Sequence, residues 1–254
     1  MTRLTAVIIA RDEEANLPRC LASLKWVDEI VVGDCGSTDR TVGIAKEAGA
    51  HIVTYEWRGY GQAKQIVADR ATGDWILSID ADEEVSPELA REIRATVDLP
   101  GDKVGFRLPR RTLFLGRWMK HGGWYPDRVL RLYRRGQGRF TESSVHEALE
   151  VDGMIGTLAN ELLHYSYPTL EVYFEKFNRY TTLAAQEAFQ KGTRDSLGKI
   201  VFNPAAKFVK QYILKAGFLD GTEGLLLALL SAGYVMTKYA KLRNLERLRR
   251  EAGN

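Results

Sequence analysis

Short apolar runs alternate with amphipathic segments from residue 4 to residue 99. Runs of this length favour strands buried on both faces, and the segments between them have the apolar spacing of helices. Strands that alternate with helices predict a mostly parallel sheet, with ligands bound outside the carboxyl ends of its strands. The predicted strands cover residues 4–10, 29–34, 51–57 and 75–79.

The pattern changes beyond Leu99. Residues 104–115 and 128–134 alternate apolar and basic positions, which indicates strands with one solvated, positive face. From Pro168 onward the spacing is helical, and residues 224–236 are apolar nearly all round. The expected fold class is therefore α/β, with a first domain over residues 1–167 and a C-terminal helical region over residues 168–254.

Charge is unevenly distributed along the chain. The net charge of the 254 residues is +3, which favours no nucleic-acid partner, yet ten Lys/Arg against four Asp/Glu follow residue 198, a net of +6. Basic residues beside apolar ones are typical of a segment that lies in an anionic membrane interface. The alternative is a helical hairpin packed on the core or on a second subunit, so an oligomer is possible.

Three features of the sequence bear on the cellular compartment of the protein. No apolar run reaches 18 residues, so we expect no ordinary membrane span. The apolar run Thr5–Ala10 is too short for a signal peptide, and the two cysteines, Cys20 and Cys35, form no disulfide framework. These features favour a reducing, cytoplasmic location.

Acidic residues follow the predicted strand 75–79. Asp80 and Asp82 are two positions apart, so both side chains can project from one edge of the sheet. Two such carboxylates favour a hard divalent cation, which in Mg²⁺ sites is completed by phosphate oxygens. The alternative is a solvated turn before a helix that Ser86 caps and Pro87 begins.

Three motifs at predicted strand ends together resemble family 2 glycosyltransferases of the GT-A fold. They are Ala10–Glu13 (Thr-Tyr-Asn-Glu in the family), Asp34–Asp39 (Asp-Asp-Gly-Ser-Thr-Asp) and Ser78–Asp82 (Asp-x-Asp). Cys35 departs from the second acid of the Asp-Asp pair, and Asp12 departs from the usual Asn. A finer similarity to bacterial lipopolysaccharide core glycosyltransferases rests on residues 59–64, 123–127, 145–147, 164–167 and 220–224.

The resemblance implies an inverting transfer from a nucleotide-diphosphate sugar, with UDP favoured, and a divalent metal, Mg²⁺ or Mn²⁺. It implies that Asp82 binds the metal, that Asp80 contacts the ribose and that Asp34 accepts a hydrogen bond from the base. His164 is a second candidate metal ligand, although a histidine beside tyrosines is more often structural. The implied nucleotide-sugar site comprises Ala10, Arg11, Glu13, Asp34, Lys64, Asp80 and Ala81, and a solvated Lys64 is an equal alternative.

The resemblance also implies a general base opposite the leaving group. Glu147 occupies the family position for this base, and Asp127 is the competing catalytic candidate. Trp124 and Tyr125 offer flat faces for an acceptor sugar, unless they simply pack under their loop. We expect phosphates of an anionic glycolipid acceptor, such as a lipopolysaccharide inner core, to pair with Arg107, Arg110, Arg111, Arg128 and Arg131.

These expectations combine into an enzyme that is peripheral on the inner face of the cell membrane. Two other readings stay open. A sugar nucleotidyltransferase would share the sheet and the metal, but residues 11–14 lack the glycine-rich loop that usually follows its first strand. A catalytically inactive, membrane-bound scaffold would keep the fold, although Asp80, Asp82 and Glu147 are all present.

Overall fold

The computed structural model describes residues 2–141, 148–193 and 196–252. The strands are β1 (Leu4–Ala10), β2 (Glu29–Asp34), β3 (His51–Thr54), β4 (Trp75–Asp80), β5 (Glu83–Val85), β6 (Lys103–Phe114), β7 (Arg117–Trp118), β8 (Asp127–Arg134), β9 (Gly138–Phe140), β10 (Leu149–Val151), β11 (Met154–Thr157) and β12 (Leu162–Tyr167). The helices are α1 (Leu17–Ala22), α2 (Thr41–Glu47), α3 (Tyr60–Ala68), α4 (Pro87–Asp98), α5 (Leu170–Gln190), α6 (Leu197–Phe208) and α7 (Gly221–Ala252).

The chain forms two compact units. The first comprises Met1–Arg111 and Asp127–Tyr165, and the second comprises Thr112–Pro126 and Ser166–Asn254. A linear boundary after residue 167 does not describe this division, because the segment 112–126 groups with the helices. The assignment of catalytic and membrane roles to separate domains stays a prediction.

The main sheet confirms the α/β fold class. Its strand order is β3-β2-β1-β4-β8-β6-β12-β5, and β7 and β11 pair with β6. The first four strands are mutually parallel, whereas β8 is antiparallel to both β4 and β6. The carboxyl ends of β1, β2 and β4 therefore lie at one edge, where Ala10 is paired with Asp34 and Ile9 with Asp80.

The unbroken apolar runs reflect burial on both faces of the sheet. Along β4, Trp75, Leu77 and Ile79 pack into one core, and Ile76 between them packs into another. This alternation follows from the two-residue repeat of a strand. All four side chains are at most 2% exposed, so the central strand is anchored from both sides before it reaches its acidic end.

Strand β5 was not predicted. The expected turn after Asp80 instead forms a short strand that pairs antiparallel with β12, so that His164 lies opposite Glu83. The predicted cap of α4 is confirmed, because the Ser86 hydroxyl accepts a hydrogen bond from the Leu89 amide at 3.2 Å. This pairing brings the start of β12 to the acidic end of β4.

The second unit has its own core, in which Phe114, Met119, Tyr173 and Leu227 are buried together. A π-helical segment, Val209–Leu214, and a 3₁₀ turn, Gly217–Asp220, join α6 to α7. Within the described residues, the helical stretch Gly217–Glu251 is long and apolar enough to cross a membrane by length and composition. The stretch meets this criterion by the mean hydropathy of an 18-residue window. It does not contain the 18 consecutive apolar residues on which the expectation of no membrane span was based.

Candidate active site

Hydrogen bonds join the loops after β1 and β2. The Asp12 amide donates to the Ser37 hydroxyl at 3.0 Å, and the Asp12 carboxylate accepts from the Thr38 amide at 2.8 Å. Asp12 has a φ of 54°, in the left-handed region that aspartate tolerates better than most residues. The Asp12 carboxylate therefore joins the loop after β1 to the loop after β2.

Asp34 ends β2 and is buried, with 6% of its surface exposed. Its carboxylate accepts hydrogen bonds from the Gly36 amide at 3.0 Å and from the Ser37 amide at 3.1 Å. A side chain that bonds to the backbone two and three residues ahead fixes a tight turn. Asp34 therefore shapes the loop at the sheet edge, and its predicted contact with a nucleotide base stays a prediction.

Six charged side chains form an ion cluster at the end of β4. Lys64 is only 6% exposed, and its Nζ lies 2.9 Å from Asp80 Oδ1. Arg131, on β8, donates from Nη2 to Asp80 Oδ2. The alternative of a solvated Lys64 is therefore wrong. The ion cluster consists of Lys64, Asp80, Glu83, Arg110, Asp127 and Arg131.

Glu83 lies at the centre of the ion cluster and is completely buried. Its Oε1 accepts from Arg131 Nη2 at 2.9 Å and from Arg110 Nη1 at 3.2 Å. Its Oε2 accepts from the Asp80 amide at 2.9 Å. One buried carboxylate thus holds two arginines and the backbone at the end of β4.

The ion cluster sets the ionisation of its members. Burial alone would raise the pKa of Asp80, but the charges of Arg131 and Lys64 outweigh it and hold that pKa well below the usual range. Burial opposes the charge of Arg131, yet the carboxylates of Asp80 and Glu83 raise its pKa. Asp80 and Arg131 are therefore charged at neutral pH, and each contacts a group of opposite charge inside the protein.

Within the ion cluster, Arg110 links Glu83 to Asp127. Its Nε and Nη2 both donate to Asp127 Oδ2, at 3.0 and 2.6 Å, and the Asp127 side chain is 43% exposed. The interaction fixes the direction of a carboxylate that still reaches solvent. Arg111 pairs with Glu161 at 3.1 Å.

The predicted acceptor-binding arginines need a correction. Arg110, Arg111 and Arg131 have carboxylate partners in the protein, so they do not require acceptor phosphates. The alternation of apolar and basic residues indicated a solvated face, but Arg131 is 7% exposed because it lies over the acidic end of β4. Arg107 and Arg128 are exposed.

Asp82 and His164 meet beside the ion cluster. Asp82 Oδ2 lies 3.4 Å from His164 Nε2, and both side chains are largely buried, at 16% and 14% exposed. His164 Nδ1 is buried without a hydrogen-bond partner in the described part of the chain. A carboxylate and an imidazole are a donor pair that Mn²⁺ or Mg²⁺ accepts, with phosphate oxygens completing the set.

The described residues contain no group of three or more His, Cys, Asp or Glu side chains placed to hold a metal. Asp82 and His164 therefore fit a site that the protein forms in part and a bound diphosphate completes. The close approach of the two side chains is compatible with the predictions that Asp82 and His164 bind a metal, and both stay predictions.

The remaining predicted residues occupy different positions. Ala10 and Ala81 are buried at the strand edge, and Arg11 is exposed beside Asp12. Trp124 and Tyr125 belong to the second unit, where the Trp124 ring packs on Tyr167 with centroids 5.8 Å apart. Glu13 donates its amide to Thr41 Oγ1. The proposed base, Glu147, lies outside the described residues.

Glu83 was not among the predicted site residues, and Arg131 was predicted to pair with acceptor phosphates and not with Glu83 and Asp80. The sequence offered one signal, which is that Glu83 directly follows the Asp-x-Asp motif, where the alternative interpretation placed a solvated turn. The partner of Glu83 is 48 residues away in sequence and depends on the antiparallel register of β4 with β8. That register was not predictable from the apolar pattern.

Comparisons with known proteins agree with this geometry. The family described as Glycosyl transferase family 2 matches residues 5–150. The chain is 34% identical to the lipopolysaccharide core biosynthesis glycosyltransferase LpsC of Rhizobium meliloti, over 94% of this chain and 91% of that protein.

Two solved structures share the fold. The mannosyltransferase PcManGT of Pyrobaculum calidifontis, in complex with GDP-Man and Mn²⁺, has a TM-score of 0.56 at 15% identity, over 95% of this chain and 87% of that one. TarS of S. aureus, in complex with UDP-GlcNAc, has a TM-score of 0.50 at 14% identity, over 98% of this chain and 92% of that one.

Proposed function

The chain belongs to glycosyl transferase family 2, and on that premise we propose that it transfers a sugar, with inversion, from a nucleotide-diphosphate donor to a membrane-held, anionic glycolipid. The donor nucleotide is UDP, and the acceptor is a lipopolysaccharide core of the kind that the name of LpsC implies. The enzyme acts at the cytoplasmic face of the membrane.

The charge balance at the end of β4 carries the proposal. Three cations of the ion cluster, Lys64, Arg110 and Arg131, oppose three carboxylates, and Asp82 beside them adds a fourth. A diphosphate brought to this edge would meet a net negative site, because each cation of the cluster already contacts a carboxylate. A divalent cation held by Asp82 and His164 reverses that balance.

The roles that we assign in donor binding depend on which side-chain atoms of the site are accessible to a ligand. The Asp80 side chain is 27% exposed and stays ionised, so it can accept hydrogen bonds from the ribose hydroxyls. Lys64 and Arg131 hold this carboxylate in one orientation, and Asp34 shapes the loop against which the base binds. When bound, the metal supplies positive charge to the departing diphosphate.

The acceptor hydroxyl needs a base, and we assign that role to Glu147. Asp127 is the weaker candidate because two donors of Arg110 occupy one of its oxygens. A carboxylate held by a guanidinium suits the orientation of a sugar hydroxyl better than the removal of its proton. We therefore expect Asp127 to position the sugar.

The second unit supports association with a membrane. Its helices expose large apolar side chains that would be costly to leave in water, which is typical of a surface that meets lipid or another protein. The exposed set includes Leu197, Val201, Phe202, Val209, Ile213, Leu214, Phe218 and Leu219.

Calorimetric titration tests the donor site. UDP, GDP, ADP and CDP are titrated with and without Mn²⁺ into the wild-type protein and the Asp82→Ala variant. We expect UDP to bind tightly only with Mn²⁺, and the variant to lose at least tenfold in affinity. The Glu161→Gln variant, which removes an acid far from Asp82 in sequence, is the matched control and should bind normally.

Other outcomes would change the proposal. Tight binding of another nucleotide would change the donor. The absence of binding under every condition would favour the inactive-scaffold alternative, and equal binding with and without Mn²⁺ would contradict the charge-balance argument.

A further inference from the structure

Three lysines of the second unit form a cluster without acidic partners. Lys207 lies in the last turn of α6, Lys210 lies in the π-helical segment, and Lys215 follows that segment. All three side chains are exposed, and none forms an ion pair with a carboxylate in the described part of the chain. We name Lys207, Lys210 and Lys215 the basic cluster.

The lysines of the basic cluster are neighbours on one helical stretch, since Lys207 and Lys210 lie three residues apart and the Lys215 amide donates to the Lys210 carbonyl at 2.9 Å. Partial burial of the Lys207 ammonium, followed by the charges of Lys215 and Lys210, lowers the pKa of Lys207. Like charges held together without compensation destabilise a fold slightly. Their uncompensated arrangement favours a ligand that brings negative charge.

A glycine loop lies against the basic cluster. The Gly122 amide donates to the Lys215 carbonyl at 2.9 Å. A Cβ on Gly123 would lie 2.5 Å from Lys215 Nζ, so this glycine lies directly against the end of the lysine side chain. Both glycines have positive φ angles, of 66° and 75°, which the loop requires.

Gln211 is buried in the same place with unused hydrogen-bonding groups. It is 2% exposed, and neither its Oε1 nor its Nε2 has a partner among the described residues. A Cβ on Gly122 would lie 3.8 Å from Gln211 Nε2, so the amide faces the glycine loop. A buried amide without a partner is unfavourable, and a bound oxyanion would accept a hydrogen bond from its Nε2 group.

We propose that the basic cluster, Gln211 and the Gly122–Gly123 loop bind the phosphate of an anionic lipid headgroup. The lysines supply the charge, and the Gln211 amide donates to a phosphate oxygen. The apolar side chains of Ile213 and Leu214, 54% and 75% exposed, suit the acyl region beside a headgroup. This inference deepens the membrane association in the proposed function and rests on it.

Vesicle binding by the full-length protein tests the site. The probes are phosphatidylcholine vesicles with and without phosphatidylglycerol. We expect the wild type to bind only the anionic vesicles. We expect Lys207→Gln, Lys210→Gln and Lys215→Gln combined to lower the affinity by on the order of a hundredfold.

The matched control separates a site from general attraction. Arg247→Gln, Arg249→Gln and Arg250→Gln combined remove the same charge from the exposed end of α7, and we expect a loss of less than about threefold. Equal losses in the two triple variants would overturn the proposal, as would wild-type protein that binds neither vesicle.

Gln211→Leu tests the amide separately. Leucine fits the buried position without a polar group, and we expect about a tenfold loss of vesicle affinity with an unchanged thermal midpoint. Unchanged vesicle affinity in this variant would remove Gln211 from the site. Competition with inorganic phosphate distinguishes a lipid phosphate from free phosphate as the ligand, with chloride at equal ionic strength as the control. Release of the protein from vesicles by millimolar phosphate would indicate a site for free phosphate.

The UDP titration is run on the same preparations. Vesicle binding without nucleotide binding would contradict the proposed transfer and leave the lipid site standing, whereas nucleotide binding without vesicle binding would do the reverse. A protein that binds neither vesicle and is a dimer by light scattering would assign the exposed apolar face to a second copy of the chain.

Discussion

Charged side chains are arranged in opposite ways in the two units. In the first, the ion cluster pairs three cations with three carboxylates, with contacts of 2.6–3.2 Å beside the shorter Arg131–Asp80 pair, and Lys64, Glu83 and Arg131 are buried. In the second, the basic cluster exposes three cations that have no carboxylate partner within the described chain. Buried, compensated charges fix geometry, whereas exposed, uncompensated charges favour a partner of opposite sign.

The difference indicates where each kind of residue should matter. Members of the ion cluster are coupled, because the loss of one leaves others buried without compensation. Members of the basic cluster repel one another, so their loss should weaken binding and leave the fold intact. Substitutions in the two clusters should therefore separate stability from association.

The largest effect is expected for Glu83→Gln. The substitution keeps the size of the side chain but leaves Arg131 and Arg110 with one carboxylate fewer, at a site with no exposure. We expect the free energy of unfolding to fall by about 3 kcal/mol in urea denaturation.

Glu161→Gln is its control, because this carboxylate is 30% exposed and pairs only with Arg111 among the ion pairs described. We expect it to cost less than about 1 kcal/mol. Similar costs for the two variants would contradict the distinction between buried and exposed pairs.

A smaller effect is expected from the titration of Asp80. Its pKa is depressed in the folded state, so its ionisation stabilises the protein above the unfolded-state pKa and that contribution is lost as the pH falls through the folded-state pKa. We expect the difference in unfolding free energy between wild type and Asp80→Asn to be constant near neutral pH and to shrink in acid. A difference that grows toward acid pH would show that the sign is wrong.

The smallest effect on stability is expected in the basic cluster. Replacing Lys207, Lys210 and Lys215 with glutamine removes repulsion and no ion pair. We expect the free energy of unfolding to change by no more than about 0.5 kcal/mol, with any change toward greater stability at low salt. A loss of 2 kcal/mol or more, taken on the usual scale of core substitutions, would mean that the lysines hold the fold together.

The sequence predicted most of the strands and helices of the first unit, but few of the ion pairs between its side chains. The apolar runs and acidic ends placed Asp34, Asp80 and Asp82 at one sheet edge, because strand direction and side-chain alternation are local properties. The pairing of Glu83 with Arg131 was not predicted, because it depends on the register of β4 with β8, which is a long-range property. Burial of Arg131 also contradicted the reading of its strand as positive and solvated.

The second unit was predictable in character but not in detail. Basic residues beside apolar ones indicated an interface in the C-terminal region, and the exposed apolar side chains of residues 197–219 agree with that description. The place of Trp124 was less predictable, since its packing on Tyr167 depends on how the segment 112–126 folds against residues distant in sequence. Nothing in the sequence indicated that the Gln211 side-chain amide would be buried without a hydrogen-bond partner among the described residues.

One paired measurement tests the central claim, which is that donor binding depends on the first unit and lipid binding on the second. UDP affinity in Mn²⁺ and affinity for anionic vesicles are measured on Asp82→Ala and on the triple lysine variant. The account predicts that Asp82→Ala loses UDP binding and keeps vesicle binding, and that the triple variant does the reverse. Loss of both activities in either variant, with the fold intact by circular dichroism, would contradict it.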